Sequence, residues 1–533
     1  MNDVARDVDA IRRQVQSLRD VLRERVAAEG GAWGVDGHTF SYEMGLARPL
    51  PIGGYVLLTT RDDRRYLGQI TDQRVVERSG PRVTVDLPAT LGGDGSLGEA
   101  SVTIDTRVAN GDGRLLARMV DGSFERLDRQ ATFDLAQVDL ATPDVIDGFV
   151  RWSLAGATGL PTGGAVFGAA EQLPLLAAKG FNRHTFLCGQ SGSGKTYGLG
   201  VILERLLLGT TIEMVVLDPN SDYVGLADVL PAADSGATGD AYQQIADHWA
   251  GLGRRVIVMG PGDRSTPFKV MFSRLTGAQQ ALVLGLDPVR DADQYVALRN
   301  LRDDPAGDVT LEALLDRADA ASDQHSRDLA TRIRNLGVDT WNVWVRADDT
   351  PVLDALPDDR RVLIADLGAT ETPQERSVQT AAVLAWLWRE RHARVPRLVV
   401  IDEAHNVCPH TPSHPMEAMA TDHVIRIAAE GRKYGLYLLL STQQPQKIHP
   451  NVLAQCDNLI VLRMNSTVDI DHLARVFGFV PATLLRQASA FRLGEGLVAG
   501  PISSHPMLYR GARRWTREGG ADVSSTWAGT GRP

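Results

Sequence analysis

The chain has 533 residues, 43 % of them hydrophobic and 23 % charged, and a formal net charge of −10 at pH 7. That length suits about two to four domains with large cores, and the acidic balance argues against a surface that binds polyanions all over, though not against a locally basic channel. No apolar run approaches the ~18 residues needed to span a bilayer. The opening Met1-Asn-Asp-Val-Ala-Arg6 is not that of a secretory signal, and Cys188, Cys408 and Cys456 share no metal-ligand spacing, so a cytoplasmic chain with reduced thiols and no membrane association is expected.

In chain order, residues 1–30 carry Val4, Val8, Ile11, Val15, Leu18 and Leu22 at alternating spacings of four and three, with no helix breaker before Gly30. This is a heptad-like amphipathic helix. It serves either as an oligomerisation or partner-docking helix or as a helix folded back on its own domain, and the spacing does not separate the two. From 41 to 141 the pattern changes to period two. Tyr55–Thr60, Tyr66–Thr71, Arg82–Leu87, Ser101–Val108 and Arg114–Val120 read as short strands divided by turn clusters, among them Gly92-Gly-Asp-Gly95 and Asn110-Gly-Asp-Gly113. Five or six such strands predict a small β-barrel. The glycine-rich stretch Gly156 to Gly168 reads as a connector into the next domain.

That domain, 155–515, contains apolar runs at Thr185–Cys188, Glu213–Asp218, Arg255–Met259, Arg361–Asp366, Arg397–Glu403, Gly435–Ser441 and Asn458–Met464. Continuous apolar strands separated by helical segments predict a parallel sheet covered on both faces, hence an α/β fold. Residues from about 260 to 357 are mostly helical in pattern and read as an insertion. The polar, Gly- and Ser-rich residues 517–533 read as a disordered tail.

The chemistry centres on Gly189-Gln-Ser-Gly-Ser-Gly-Lys-Thr196, a complete Walker A motif between a predicted strand and a predicted helix. Such a loop points backbone N–H groups and a helix N-terminus at one place, which suits a polyphosphate. Gly189, Gln190, Ser191, Gly192, Ser193 and Gly194 would form the cradle, Lys195 would reach the β/γ-phosphates, and Thr196 would hold Mg²⁺. Lysine is rare in this chain, occurring only as Lys179, Lys195, Lys269, Lys433 and Lys447, so a chance lysine in this frame is improbable. These residues imply binding of a nucleoside triphosphate.

A second motif, Leu398-Val-Val-Ile-Asp-Glu-Ala-His405, delivers two acids at the end of an apolar strand. In an open α/β sheet that is the edge where ligands bind. Asp402 would join the Mg²⁺ shell, and Glu403 would orient and deprotonate the attacking water. A third, Leu438-Leu-Leu-Ser-Thr-Gln-Gln-Pro445, would set Gln443 beside the γ-phosphate. Just before it, Ala428-Ala-Glu-Gly-Arg-Lys-Tyr-Gly435 ends a predicted helix in Arg432 and Lys433.

Together these motifs resemble the HerA branch of the HerA/FtsK family of hexameric RecA-like ATPases. Leu46-Ala-Arg-Pro-Leu-Pro-Ile-Gly-Gly-Tyr-Val56 with Leu67–Thr71 is similar to that family's N-terminal HAS barrel, and Asn182 to Thr196 to its entry into the P-loop. Asp218-Pro-Asn-Ser-Asp-Tyr223 resembles its Asp-Pro-x-Gly-Glu-Tyr, with Ser221 and Asp222 in place of Gly and Glu. The resemblance extends through Glu430–Gly435, Ser441–Pro445 and the closing strand Gly494–Gly500, which in the family precedes a tail reaching a neighbouring subunit. It implies a RecA-like P-loop core with a helical insertion, preceded by a β-barrel and an N-terminal helix. It further implies a homohexamer with ATP and Mg²⁺ at each subunit interface, Arg432 as a finger acting in trans, Arg183 as a cis contact, and duplex DNA in a central pore. A separate partner is implied as well, a NurA-type nuclease or a phage-defence effector. Two readings stay open: an ATP-driven DNA translocase, or a hexameric ATPase scaffold that assembles or gates an effector, with translocation secondary.

Overall fold

The computed structural model describes residues 30–46, 50–87, 98–127, 132–236, 239–261, 265–302, 309–346 and 349–519, together with Arg13, Gln16 and Ser17. The expected N-terminal helix, the Gly92–Gly95 turn and residues 520–533 therefore lie outside the described residues, apart from those three positions. Two compact units divide the chain, one within Met1–Ser153 together with Phe167–Ala169 and Pro481–Gln487, the other from the remainder.

The first unit is an antiparallel barrel. Its strands are β1 (Gly31–Gly34), β2 (Thr39–Gly45), β3 (Tyr55–Thr60), β4 (Arg65–Ile70), β5 (Arg74–Leu87), β6 (Gly98–Val120), β7 (Ser123–Glu125) and β8 (Ala136–Leu140), followed by helix α1 (Pro143–Ser153). The order β2-β1-β8-β3-β4-β6, with β6 pairing back to β2, closes a ring of six strands; β5 and β7 pair with β6 outside the ring. Alternate residues point inward, and Phe40, Tyr42, Val56, Leu58, Tyr66, Ile70 and Val138 fill the core.

Two expectations are corrected here. Arg82–Leu87 and Ser101–Val108 are not separate short strands but parts of the long β5 and β6, paired to one another over most of their length. Asn110-Gly-Asp-Gly113 is not a turn either. It lies inside β6, where that strand pairs with β2 on one side and with β4 and β5 on the other. The glycines are there for close approach: a Cβ on Gly111 would come 2.0 Å from the Asp72 carbonyl oxygen, and one on Gly113 2.1 Å from Phe40 Cζ. The Asp112 carbonyl accepts from the Thr71 and Asp72 amides at 2.9 and 3.0 Å, which fastens this crowded point.

The second unit holds an eleven-stranded sheet, ordered β10-β9-β19-β18-β17-β11-β16-β15-β12-β14-β13. The strands are β9 (Gly159–Ala165), β10 (Leu173–Ala177), β11 (His184–Cys188), β12 (Glu213–Asp218), β13 (Val256–Met259), β14 (Val362–Asp366), β15 (Arg397–Ile401), β16 (Leu436–Thr442), β17 (Cys456–Leu462), β18 (Glu495–Ala499) and β19 (Met507–Gly511). The seven from β17 to β13 are parallel. Runs such as Leu398-Val-Val-Ile401 are buried throughout, as strands covered on both faces must be. The other four are antiparallel, and β9 occupies most of the stretch expected as a connector. Its glycines again serve packing, since a Cβ on Gly163 would lie 2.0 Å from the Arg510 carbonyl oxygen.

Helix α2 (Lys195–Gly209) follows β11, and α3 (Gly239–Leu252) precedes β13. Between β13 and β14 stand α4 (Gly277–Val283), α5 (Ala292–Arg302), α6 (Leu311–Ala320) and α7 (Gln324–Leu336). Thr276 and Gln279 form a capping box on α4, and Gly337, at φ 66°, ends α7. Helices α8 (Pro373–Arg389) and α9 (Pro415–Glu430) flank the strand that carries the two acids. Arg517 to Gly519, within the expected tail, are among the described residues, and the Gly519 amide donates to the Asp222 carbonyl at 3.0 Å. Among the described residues no helix is long and apolar enough to cross a membrane.

Because the Gly111 contact is with backbone, little can yield. Gly111→Ala is expected to cost the barrel about 1–3 kcal/mol, a typical overpacking penalty. Denaturant unfolding checks this, and an unchanged midpoint would mean that β6 has slack there.

Candidate nucleotide site

The Walker A residues leave β11 and enter α2 through Gly192 and Gly194 at φ 68° and 86°, conformations that favour glycine. The loop is tied down from outside. The Gly189 amide donates to the Thr442 carbonyl at 3.3 Å, the Gln190 amide to the Arg463 carbonyl at 3.0 Å, and the Asn465 amide to Gln190 Oε1 at 3.0 Å. Among the described residues a Cβ on Gly192 would meet nothing within 4 Å, so the hollow over the loop is open, and the buried Ser193 Oγ has no hydrogen-bond partner. A helix N-terminus with unpaired amides, an unpaired hydroxyl and open space above it fits a phosphate group.

Lys195 is only 5 % exposed. Its ammonium lies 2.7 Å from Asp402 Oδ1, 3.0 Å from Glu403 Oε1 and 3.2 Å from Ser441 Oγ. Burial works against the charge, but Asp402 and Glu403 outweigh it and hold the lysine above its ordinary pKa. Asp402 also accepts from the Tyr223 hydroxyl at 3.0 Å. Burial and neighbouring carboxylates raise the Tyr223 pKa, which keeps that hydroxyl a donor. Glu403 stands just past β15 in the left-handed region, at φ 43°. For a residue with a Cβ that is strain, the kind that gathers at functional sites. Gln443 Nε2 donates to Glu403 Oε1 at 2.8 Å. Among the described residues Glu403 Oε2 accepts no hydrogen bond, although His405 Nδ1 lies 3.3 Å away while bonding Thr442 Oγ1 at 3.1 Å. A cavity of about 400 Å³ opens beside both acids and is lined also by Arg376, Asn406 and His414. One oxygen of Glu403 is thus available to take a proton.

The Asp218–Tyr223 turn supports this edge. Asp218 accepts from the amides of Asn220, Asp222 and Tyr223 at 3.3, 3.0 and 2.8 Å, and burial pushes its carboxyl up to about 7 although those bonds pull the other way. Ser221 takes φ 63°, and its hydroxyl holds the strained turn by donating to Asp366 Oδ1 at 2.7 Å.

Arg432 is elsewhere. It precedes β16, whereas Gln443 follows it, so seven strand residues, roughly 20 Å at ~3.3 Å per residue, separate the two. Its guanidinium meets Asp457 Oδ2 at 2.8 Å, and Arg183 Nε lies 3.5 Å from the same oxygen. The expected cis contact of Arg183 is therefore corrected. Arg183 stands at the amino end of β11, a strand of roughly 15 Å from its own P-loop, beyond the reach of its side chain.

Residues 164–343, which include the whole Walker A motif, match the family model described as Helicase HerA, central domain. That segment is similar to the central domain of HerA helicases. The chain is also 28 % identical over 145 residues to a probable DNA double-strand break repair helicase HerA of Methanocaldococcus jannaschii, covering 26 % of this chain and 28 % of that protein. It is 31 % identical over 117 residues to a DNA double-strand break repair helicase HerA of Sulfurisphaera tokodaii, covering 22 % and 23 %. The aligned segments thus span about a quarter of these relatives' length. Among solved structures, VirB4 of Thermoanaerobacter pseudethanolicus is similar at 16 % identity over 67 % of this chain and 96 % of its own, with a TM-score of 0.44. The bacterial conjugative coupling protein TrwB is similar at 14 % identity over 71 % and 95 %, with a TM-score of 0.44.

Behind the P-loop of this HerA-type segment lies a cluster that sequence reasoning missed. Glu204 of α2, fully buried, accepts from the Trp515 and Thr516 amides and from Thr516 Oγ1, and pairs with Arg205 at 2.9 Å. Arg205 in turn lies over the Trp515 ring, 3.0 Å from its centroid. The segment after β19 is thereby strapped to the helix that carries Lys195. The signal was in plain sight: an acid and an arginine side by side in an otherwise apolar helix need buried partners.

At the other edge, His184 is fully buried. Nδ1 accepts from the Leu438 amide at 2.9 Å and Nε2 lies 3.0 Å from the Ala428 carbonyl, so the neutral ring joins β16 to the end of α9 just before Arg432. Burial, followed by the charge of Arg432, lowers its pKa to about 4. The unfolded chain then binds the extra proton first, and stability from this residue, complete above pH ~6.5, is lost as pH falls toward about 4, by about 3 kcal/mol. Urea unfolding between pH 7 and 4 should show a shallower acid loss in His184→Gln than in the wild type. Equal slopes would mean that the ring charges in place.

Proposed function

We propose that this chain is an ATP-hydrolysing motor of the HerA type. It forms a homohexameric ring with ATP at each subunit interface and duplex DNA in the central pore, and works with a separate nuclease or defence effector. The observation that carries this reading is the contact cluster of Lys195, Asp402, Glu403 and Gln443 at the carboxyl edge of the sheet, with Arg432 held at the opposite edge.

In this reading Gly189 to Thr196 hold the phosphates, and Lys195 leaves the two carboxylates to meet the new negative charge. Thr196 and Asp402 carry the hard oxygens that suit Mg²⁺, which would supply charge neutralisation on the phosphates. Glu403, freed of the ammonium on Oε1 and unpaired on Oε2, accepts the proton of the attacking water. Gln443, bonded to Glu403, links that base to the segment following β16. Arg432 cannot reach its own site, so it completes a neighbour's by stabilising charge on the transferred phosphoryl group. Arg183, on the same carboxylate, accompanies it to that interface. DNA is held through its phosphates without sequence reading.

Glu403→Gln should bind ATP and assemble normally while hydrolysing it about 10²–10⁴-fold more slowly, since it removes a base and no binding group. Near wild-type turnover would refute the assignment. Arg432→Ala should also be nearly inactive. Mixing it with Glu403→Gln should restore part of the activity, because a wild-type Glu403 on one chain can face a wild-type Arg432 on the next. No recovery despite verified subunit exchange would count against the trans finger. Linear duplex DNA should raise the ATPase rate of the wild type. A rate indifferent to DNA would favour the second reading, a hexameric scaffold that gates an effector.

A further inference from the structure

The strap after β19 bridges two parts of the site. On α2, Glu204 accepts from its Trp515 and Thr516 amides. Elsewhere the Trp515 carbonyl accepts from the Leu230 amide at 2.8 Å, the Arg517 amide donates to the Asp228 carbonyl at 2.8 Å, and the Gly519 amide to the Asp222 carbonyl at 3.0 Å. A Cβ on Gly225 would come 2.7 Å from the Arg517 carbonyl oxygen, so this seam closes backbone on backbone. The strap thus ties the helix that begins with Lys195 to the segment that begins with the Asp218–Tyr223 turn.

Arg514 lies within that seam, fully buried. A Cβ on Gly200 of α2 would stand 2.7 Å from its Cζ and Nε and 2.9 Å from its Nη1, so the helix omits a side chain where the guanidinium enters. The guanidinium carbon is also 5.8 Å from the centre of the Tyr223 ring. Tyr223 is the donor to Asp402, and Asp402 is the partner of Lys195. An unbroken set of contacts therefore runs from Gly200 through Arg514, Tyr223 and Asp402 back to Lys195, at the start of the same helix.

Packing alone does not account for an arginine here. Glu204 Oε1 is 3.8 Å from Arg514 Nε, and that carboxylate already pairs with Arg205 at 2.9 Å. Nη2 donates to the Arg517 carbonyl at 3.2 Å, and Nε lies 3.5 Å from Thr516 Oγ1. Among the described residues Nη1 has no hydrogen-bond partner, and Glu518 Oε1 is 4.0 Å from it. A buried charge so incompletely paired is less favourable than an apolar side chain of similar volume.

We propose that Arg514 is a positioning residue for ATP hydrolysis: it fixes the Tyr223 ring and, through the Tyr223 hydroxyl, sets Asp402 against Lys195. The inference rests on the reading of Lys195 and Asp402 as the hydrolytic site. A planar guanidinium near an aromatic ring restrains it by charge and by shape. Misplacing a reacting group by about an ångström costs on the order of 10²-fold in rate, so a loosened Tyr223 shows in turnover. Nucleotide binding, carried by the P-loop amides, is spared.

The test is steady-state ATP hydrolysis by the full chain, with ATPγS binding by calorimetry, for Arg514→Met, Tyr223→Phe and the double variant. Each single change should lower kcat at least about tenfold, with KM for ATP and ATPγS affinity within about threefold of the wild type. The double variant should be no slower than the poorer single one, because both changes cut the same link. Losses that multiply would show Arg514 acting independently of Tyr223 and would overturn the proposal, as would wild-type kcat in either single variant. Loss of ATPγS binding by Arg514→Met would make the strap a support of the P-loop and overturn it too. Should Arg514→Met fail to fold, Gly200→Ala carries the test, since alanine is the better helix former yet its Cβ displaces the guanidinium. A kcat lowered about tenfold in that variant supports the positioning role, and an unchanged kcat overturns it. Failure of the wild type to bind ATPγS would refute the nucleotide reading itself, on which the link rests.

Discussion

Lys195 is a buried cation that the fold keeps only by placing two carboxylates against it. Taking an ammonium out of water costs several kcal/mol, and removing one partner of such a buried group typically costs about 3–5 kcal/mol. Asp402 and Glu403 lie 2.7 and 3.0 Å away, at the end of β15, two strands from the strand that leads into the P-loop. The arrangement therefore depends on the parallel register of β11, β16 and β15, which sets the loop, Ser441 to Gln443 and the acids at one edge. An anion arriving at the P-loop would offer Lys195 a second partner, and the carboxylates would then change environment together. In the proposed reading, binding and catalytic readiness are coupled through one ammonium.

The same register imposes a separation. Strand β16 carries Ser441, Thr442 and Gln443 at its carboxyl end, while Arg432 sits ahead of its amino end, paired with Asp457. The strand is too long for both ends to serve one phosphate. Either Arg432 is a surface cation with a structural carboxylate or it acts on another chain. Its partly exposed position and its sharing of Asp457 with Arg183 suit the second, since such a partly exposed ion pair contributes little to stability by itself.

Much of this could be read from the chain because the information is local. A Walker A loop is eight consecutive residues whose glycines have fixed conformational tasks, and an acid after a run such as Leu398-Val-Val-Ile401 can only lie at a strand end. What escaped is long-range. Gly111 was read as part of a turn and Gly163 as part of a connector because sequence shows that a side chain is missing and not which backbone fills its place. Asp457 gave no sign as the shared partner of Arg183 and Arg432, nor Tyr223 as a donor to Asp402, since those contacts join residues far apart in the chain. The strap over Glu204 was missed for a similar reason. Trp515 and Thr516 stand at the end of the expected domain, and although Glu204 and Arg205 signal a need for buried partners, nothing in the sequence says which distant residues supply them.

The central claim is that no single chain contains a whole catalytic site. The most direct measurement is the steady-state ATPase rate per protomer across a dilution series, with mass followed in parallel by light scattering. The account predicts that the rate per protomer falls as rings dissociate and vanishes in the monomer. A constant rate per protomer down to concentrations at which only monomers remain would contradict it.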